Sequence, residues 1–397
     1  MSLAIDARRP SRLSVLDESP SFGDGLTLVS ADNASVVLRT PDQDELVVTD
    51  LMSSYASTNF GHGNPEIATA STTSSDLVAP FRTSAAEDVA HWLCARLDES
   101  RDRRVLFQIG GSFAVATAVS LARRHRPGKV VVVTGAFHGL GVDTGAFSSV
   151  QREYALQDTG FQSLVAHEVV RLDPGVVPTD WSDVSCFLYE PVQGASGYVP
   201  LDREWLRAVS TAARTAGVVL IADEIQSGYF RHGHLSLSAA WGLDPDVVLF
   251  AKSLTNGMYP LSAVVYDASI EERHAGPRLA HTFQTGTLGP AAALQVARFV
   301  DSHDVEAMCR RVATSLRLVA RVLEDEGRAA EIHVPGPSLS FRPVGRTGQE
   351  VARRALELGV LVFPGGARGE RVRVAPPLTI PDDQLRAGLD TLRHAIR

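Results

Sequence analysis

The sequence has few cysteines, no long apolar segment and no excess of basic residues. Cys94, Cys186 and Cys309 are widely spaced, so we expect neither a disulfide framework nor a cysteine metal cluster, and a reducing, cytoplasmic location. No segment approaches the roughly 20 apolar residues of a membrane span, and residues 1–20 lack the apolar core of a signal peptide. The net charge of −8 gives no sign of the broad basic surface that nucleic acids or anionic membranes require.

Short apolar runs dominate the middle of this 397-residue chain. Their continuous rather than alternating hydrophobicity indicates strands buried on both faces, as in a mainly parallel sheet sandwiched by helices. Apolar residues at three- and four-residue spacing in segments such as 113–126 and 203–217 indicate the helices. The sequence therefore predicts an α/β fold. The apolar runs are KVVVV (129–133), SCFLY (185–189), VVLIA (218–222), VVLFA (247–251) and SAVVYD (262–267).

The pattern divides the chain into three segments. Residues 56–290 carry the apolar runs and are predicted to form a large domain. Residues 291–397 hold long helical stretches followed by short strands, and residues 1–55 are polar, with one hairpin around Pro41 and Asp42. We expect the two end segments to form together a small α+β domain.

Chemically useful side chains stand where the apolar runs end. In doubly wound sheets a ligand lies beyond the carboxyl ends of the strands, so these side chains are expected to face one crevice. A helix start at Gly110, Gly111 and Ser112 adds free N–H groups and a positive dipole end, which suit an anion. The strand-end residues are Phe137, His138, Glu190, Asp223, Glu224, Ile225, Gln226 and Lys252.

This set of side chains suits pyridoxal phosphate. The cofactor needs a lysine for its Schiff base, an acid at its pyridine nitrogen, an aromatic ring against its face and a helix N-terminus at its phosphate. Each residue alone also has a structural explanation, as a solvated lysine, an acidic turn, a helix cap, a core phenylalanine or a hydrogen-bonded histidine. Their joint occurrence in this order favours the cofactor. A nicotinamide cofactor is disfavoured because no Gly-x-Gly-x-x-Gly follows the first strand of a βαβ unit.

Several motifs resemble those of class III (omega-type) aminotransferases. They are TNFGHGNPEI (58–67), AFHG (136–139), EPVQG (190–194), ADEIQSGYFRHG (222–233), PDVVLFAKSLTNGMYP (245–260) and VRVAPPLTI (372–380). The resemblance implies pyridoxal-phosphate fold type I, with residues 56–290 as the cofactor-binding domain. It also implies transfer of an amino group between an amine or amino acid and a carbonyl acceptor, and a homodimer whose active sites are shared between subunits.

The resemblance also implies individual roles. Lys252 would bind the cofactor covalently and remove the substrate's α-proton, while Asp223 would keep the pyridine nitrogen protonated. The remaining positions are Phe137 and Ile225 on the ring faces, Gln226 at the phenolic oxygen, Gly111 and Ser112 at the phosphate, Thr282 at the partner's phosphate, Glu190 and His138 beside the cofactor, and Arg373 at a substrate carboxylate.

The substrate side departs from the family pattern. Leu140 stands where many members carry a second carboxylate-binding arginine, and Ala195 stands where ornithine and GABA types carry a glutamate that neutralises the equivalent of Arg373. Phe113 replaces a glutamate in the phosphate loop, and Ser262 replaces a common glycine. These departures predict a transaminase of unusual, specialised substrate range that acts on neither ornithine nor GABA.

Two alternatives stay open. The first is another pyridoxal-phosphate reaction on the same scaffold, such as racemisation, decarboxylation, aminomutase chemistry or carbon–carbon bond formation. The second is a non-catalytic binding protein, against which the intact Lys252 and Asp223 argue.

Overall fold

The structure, a computed structural model, describes residues 26–70, 81–141, 143–150, 168–273 and 279–397. Residues 1–25, for which the sequence predicts no signal segment, lie outside this range. Among the described residues no helix is long and apolar enough to cross a membrane.

The strands and the longer helices of the described residues alternate through most of the chain. The strands are β1 (Thr27–Asp32), β2 (Ser35–Arg39), β3 (Glu45–Asp50), β4 (Arg103–Ile109), β5 (Lys129–Val133), β6 (Val169–Leu172), β7 (Val184–Tyr189), β8 (Val192–Gln193), β9 (Val199–Pro200), β10 (Val219–Asp223), β11 (Val247–Phe250), β12 (Leu261–Asp267), β13 (Ala329–Gly336), β14 (Ser338–Pro343), β15 (Val360–Leu361), β16 (Phe363–Gly365) and β17 (Arg371–Val374). The longer helices are α1 (Ser84–Asp98), α2 (Gly111–His125), α3 (Arg203–Thr215), α4 (Leu288–Ser302), α5 (Val305–Asp325), α6 (Gly348–Glu357) and α7 (Asp382–Ile396).

A seven-stranded sheet forms the centre of the molecule, in the order β4-β12-β11-β10-β7-β5-β6. The pairs from β11 to β6 are parallel, and β12 alone runs antiparallel to its two neighbours, β11 and β4. Every residue of β7, β10 and β11 is buried, as their continuous apolar pattern predicts. The predicted α/β fold with a mainly parallel sheet is confirmed.

Helices cover both faces of this sheet. Alternate residues of β5 point to opposite sides, so Val130 packs in a core with α2 while Val131 packs in another with α3. Helix α3 begins where the Asp202 side chain accepts from the Trp205 N–H, and it ends before Gly217, which has φ +73°. Full burial of Leu206 on its inner face contributes about 2 kcal/mol.

Two smaller sheets are built from the ends of the chain. The predicted hairpin is present, because β2 and β3 pair antiparallel around residues 40–44. Strand β3 also pairs in parallel with β15, far along the chain. The other sheet is antiparallel, in the order β13-β14-β17-β16. The two ends share a core that includes Leu51 and Leu339; the domain bounds at 55 and 290 stay a prediction.

The topology determines where functional side chains meet. Because β5, β7, β10 and β11 are parallel, their carboxyl ends lie at one edge of the sheet. Residues that follow these strands, from Phe137 to Lys252, therefore converge there.

Candidate active site

A cavity of about 970 Å³ opens at this edge of the sheet. The structure brings together ten of the eleven residues that the sequence predicts for the site. These are Gly111, Ser112, Phe137, His138, Glu190, Asp223, Ile225, Gln226, Lys252 and Arg373. Thr282 does not line the cavity and lies exposed on a short turn, Thr282–Thr285.

Lys252 follows β11 directly and has a strained backbone. Its φ of +47° lies in the left-handed region, which is costly for a residue with a Cβ and is concentrated at functional sites. Its Nζ lies 3.2 Å from the carbonyl oxygen of Tyr55, to which it donates. The side chain lines the cavity, so its amine is placed to react with a ligand there.

The segment Ser53–Ala56 that presents the Tyr55 carbonyl is itself left-handed. All four residues have φ between +46° and +62°, at a cost of about 1–2 kcal/mol each. Contacts from both ends of the chain stabilise the segment: Asp50 accepts the Ser53 N–H, and the Ser53 hydroxyl donates to the Ala375 carbonyl. The Tyr55 carbonyl also accepts from Gln226 Nε2, at 3.1 Å. No sequence pattern predicted this turn.

Asp223, the last residue of β10, is oriented by two partners. One carboxylate oxygen lies 2.8 Å from Nδ1 of His138, and the other accepts the Ile225 N–H at 3.1 Å. The His138 Nε2 is buried and has no hydrogen-bond partner within the described part of the chain. A carboxylate whose position is fixed in this way can stabilise a protonated ring nitrogen.

Glu224, the neighbour of Asp223, has a structural role. Its carboxylate accepts from the Ser236 hydroxyl and from the N–H groups of Leu237 and Ser238, so it holds the start of a short helix. Burial raises the pKa of Glu224, although these hydrogen bonds oppose the shift. The two adjacent acidic residues therefore have different roles: the Asp223 carboxylate lines the cavity, and the Glu224 carboxylate is buried outside it.

The start of α2 forms an anion cradle at the cavity. Gly110 has φ +78°, and its N–H donates to the Pro260 carbonyl at 2.7 Å. The Ser262 hydroxyl donates to the Gly110 carbonyl at 2.9 Å, so this departure from the family pattern supports the loop. A Cβ on Gly111 would lie 3.1 Å from the Ile225 side chain. The N–H groups of the first turn of a helix have no partner within the helix, so those at the start of α2 can bind a phosphate.

Arg373, on β17, also lines the cavity and packs against an aromatic ring. Its guanidinium carbon is 4.0 Å from the ring centroid of Phe363, its cross-strand partner, and Nη1 donates to the Gly194 carbonyl at 2.8 Å. Nε and Nη2 donate to the Pro364 carbonyl. A planar guanidinium fixed in this way suits bidentate binding of a carboxylate.

Sequence reasoning missed part of the lining. Tyr55 meets Phe363 edge to face at 4.3 Å between ring centroids, and both belong to segments from the ends of the chain. Their approach depends on the pairing of β3 with β15, for which the sequence carries no local signal. Other unpredicted lining residues include Ser54, Ser57, Tyr259, Gln349 and Pro364 to Gly369.

These residues fit pyridoxal phosphate. The cavity combines an amine at Lys252, a buried carboxylate at Asp223, an aromatic ring at Phe137 and a helix N-terminus at Gly111. These are the four groups that the cofactor requires from a protein.

Comparison with known proteins agrees with this chemistry. Residues 24–396 match the family model described as aminotransferase class-III. A probable 4-aminobutyrate aminotransferase of Bacillus subtilis is 25% identical and covers 90% of this chain and 90% of its own. The 5-aminovalerate aminotransferase DavT of Pseudomonas aeruginosa is 28% identical, over 77% of this chain and 78% of its own.

Solved structures share the fold. An amine transaminase from an uncultivated Pseudomonas species, in its PLP-bound form, superposes with a TM-score of 0.82 at 21% identity, over 98% of each chain. The ornithine aminotransferase of Toxoplasma gondii gives 0.82 at 22% identity, over 94% of this chain and 90% of its own.

The fold and the site together define a pyridoxal-phosphate-dependent transaminase. The chain belongs to the class III aminotransferases.

Proposed function

We propose that this enzyme transfers the amino group of a carboxylate-bearing amine to a carbonyl acceptor, with Lys252 and Asp223 as its catalytic residues. The observation that carries the proposal is the convergence of Lys252, Asp223 and the α2 N-terminus on one cavity that Arg373 also lines. When bound, pyridoxal phosphate supplies an electron sink for the bond that breaks at the substrate's α-carbon.

Lys252 would attach the cofactor and then move the proton. The Tyr55 carbonyl, 3.2 Å from Nζ, orients the amine toward the cavity. When Lys252 is not bonded to the cofactor, its Nζ would remove the substrate's α-proton and deliver it to the cofactor side of the site. The strained φ of Lys252 supports this role, because backbone strain is concentrated at functional sites, where it helps to preorganise the reacting group.

Asp223 would hold the cofactor's ring nitrogen in its protonated form. Its carboxylate is only 4% exposed, where an ion pair is stronger than in water. His138 would support Asp223 through the 2.8 Å contact from Nδ1. Phe137 and Ile225 would press the two ring faces, and Gln226 would bind the phenolic oxygen.

The phosphate would lie at the start of α2, where Gly111 and Ser112 would donate to it. Thr282 would donate to the phosphate of a second subunit. The exposure of Thr282 supports this role, as do two exposed rings nearby, Phe113 and Phe283. We therefore propose a homodimer whose interface covers these two rings. Analytical ultracentrifugation, which measures the mass of the particle in solution, tests this proposal. The three free cysteines support a cytoplasmic location.

Arg373 would bind the carboxylate of at least one substrate. Leu140 and Ala195 both line the cavity, so apolar groups stand where other members carry an arginine and a glutamate. Arg373 therefore has no glutamate at position 195 to neutralise it when a substrate lacks a carboxylate. This supports a substrate range that excludes ornithine and GABA.

The proposal is tested by adding a panel of amino acids and amines to the purified holoenzyme without an acceptor. Transamination predicts one equivalent of carbonyl product per site and recovery of the cofactor in its amino form. Products that keep the amino group, with the cofactor unchanged, would instead establish another reaction on this scaffold. Absence of any cofactor after reconstitution would contradict both.

A further inference from the structure

We infer that Glu190 is a positioning residue that couples the cofactor-facing ring of Phe137 to the substrate clamp at Arg373 through Gly194. The inference rests on the proposed function, because it assumes that Arg373 binds a carboxylate.

The two oxygens of Glu190 bind opposite sides of the site. Oε1 accepts the Phe137 N–H at 2.8 Å, and Oε2 accepts the Gly194 N–H at 3.0 Å. The Gly194 carbonyl in turn accepts from Arg373 Nη1 at 2.8 Å. One buried carboxylate therefore connects the segment after β5 to β17 through a single residue, Gly194.

Besides its contacts with Glu190 and Arg373, Gly194 lies close against the side chain of Gln226. A Cβ at this position would overlap the side-chain oxygen of Gln226, so the backbone approaches that side chain more closely than any other residue would allow. A shift of Gly194 must therefore move either Arg373 or Gln226, because both contact it directly.

Charge on Glu190 is essential to this arrangement. Burial raises the pKa of Glu190 to about 7; His138 opposes the shift, whereas Asp223 increases it. Lys252 and Arg373 also line the same cavity. A carboxylate accepts both N–H groups, whereas a neutral acid or an amide offers a donor in place of one acceptor. Protonation or replacement by glutamine should therefore loosen one contact or both.

The test is Glu190→Gln, with Glu224→Gln as the matched control. Glu224 is also a buried carboxylate at the carboxyl end of a neighbouring parallel strand, and it accepts two N–H groups outside the cavity. Calorimetry on the holoenzyme measures affinity for pentanoate and for the uncharged pentanamide, and titration of the apoenzyme measures affinity for pyridoxal phosphate.

Glu190→Gln should weaken binding of pentanoate or of the cofactor about tenfold, because one charge-assisted contact is lost. Pentanamide binding should change by less than about twofold, since it does not depend on the charge of Arg373. Glu224→Gln should alter none of the three affinities. Unchanged pentanoate and cofactor binding in Glu190→Gln would overturn the inference.

Arg373→Met separates this result from failure of the proposed function. If Arg373→Met binds pentanoate as tightly as the wild type, Arg373 is not the clamp and the proposed function loses its substrate assignment. If Arg373→Met loses pentanoate binding and Glu190→Gln retains both affinities, only the coupling fails.

A measurement on the wild type covers the case in which Glu190→Gln does not fold. Affinity for pentanoate, relative to pentanamide, should fall severalfold as the pH is lowered from about 8 to about 6, because Glu190 becomes protonated over that range while pentanoate stays charged. A ratio that stays constant across this range, together with an unchanged affinity of the apoenzyme for pyridoxal phosphate, would contradict the role of Glu190.

Discussion

Replacement of Arg373 by methionine should discriminate between substrates rather than simply damage the enzyme. The variant keeps most of the apolar contact with Phe363 but removes every hydrogen-bond donor. A carboxylate bound by two charge-assisted hydrogen bonds loses about 1.5 kcal/mol for each, or about 3 kcal/mol in total. We therefore expect kcat/KM for an amino acid substrate to fall about 10²-fold.

The decarboxylated amine of the same substrate gives the comparison. Its kcat/KM should change by less than about threefold in Arg373→Met, since it has no carboxylate to lose. Arg371→Met is the matched control, because Arg371 is also buried on β17 but pairs with Glu331 outside the cavity. It should lower stability without changing the ratio between the two substrates. Equal losses for both substrates in Arg373→Met would refute the clamp.

Three further results are expected. Asp223→Ala should lower kcat by about 10²-fold or more, since preorganised charge is lost, yet the protein should still bind the cofactor through Lys252; wild-type turnover would contradict this. Gly194→Ala should displace Gln226, which its Cβ would overlap, and weaken cofactor binding about tenfold by titration of the apoenzyme. Burial lowers the pKa of His232 to about 3 in the folded protein, below an unfolded value of about 6.5. Stability should therefore fall as the pH drops below about 6.5, and His232→Asn should remove about 2 kcal/mol of the change between about pH 7 and pH 5 in urea unfolding.

The sequence predicted the parallel core because its strands are buried on both faces. Runs such as VVLIA and VVLFA carry no polar residue, and their ends placed Asp223 and Lys252 correctly at one edge. Strand β4 was missed because it begins with Arg103 and Arg104, whose charges interrupt the apolar pattern. In the structure Arg103 is buried and donates to the Pro245 carbonyl.

The substrate side could not be predicted to the same extent. Tyr55 and Phe363 meet through contacts between residues more than 300 positions apart, and pairing at that range leaves no local periodicity. The left-handed turn at Ser53–Ala56 contains no glycine, so composition did not indicate it. Arg373 was found through family resemblance alone, since an arginine within a β-strand carries no functional signal of its own.

The attachment of the cofactor to Lys252 is the central claim, and chemical trapping tests it most directly. The purified protein is treated with sodium borohydride, digested and analysed by mass spectrometry. The account predicts that reduced pyridoxal phosphate is found on the peptide that contains Lys252, at about one equivalent per chain, and on no other lysine. Label on the other lysine, Lys129, or cofactor that binds without becoming fixed to Lys252, would contradict it.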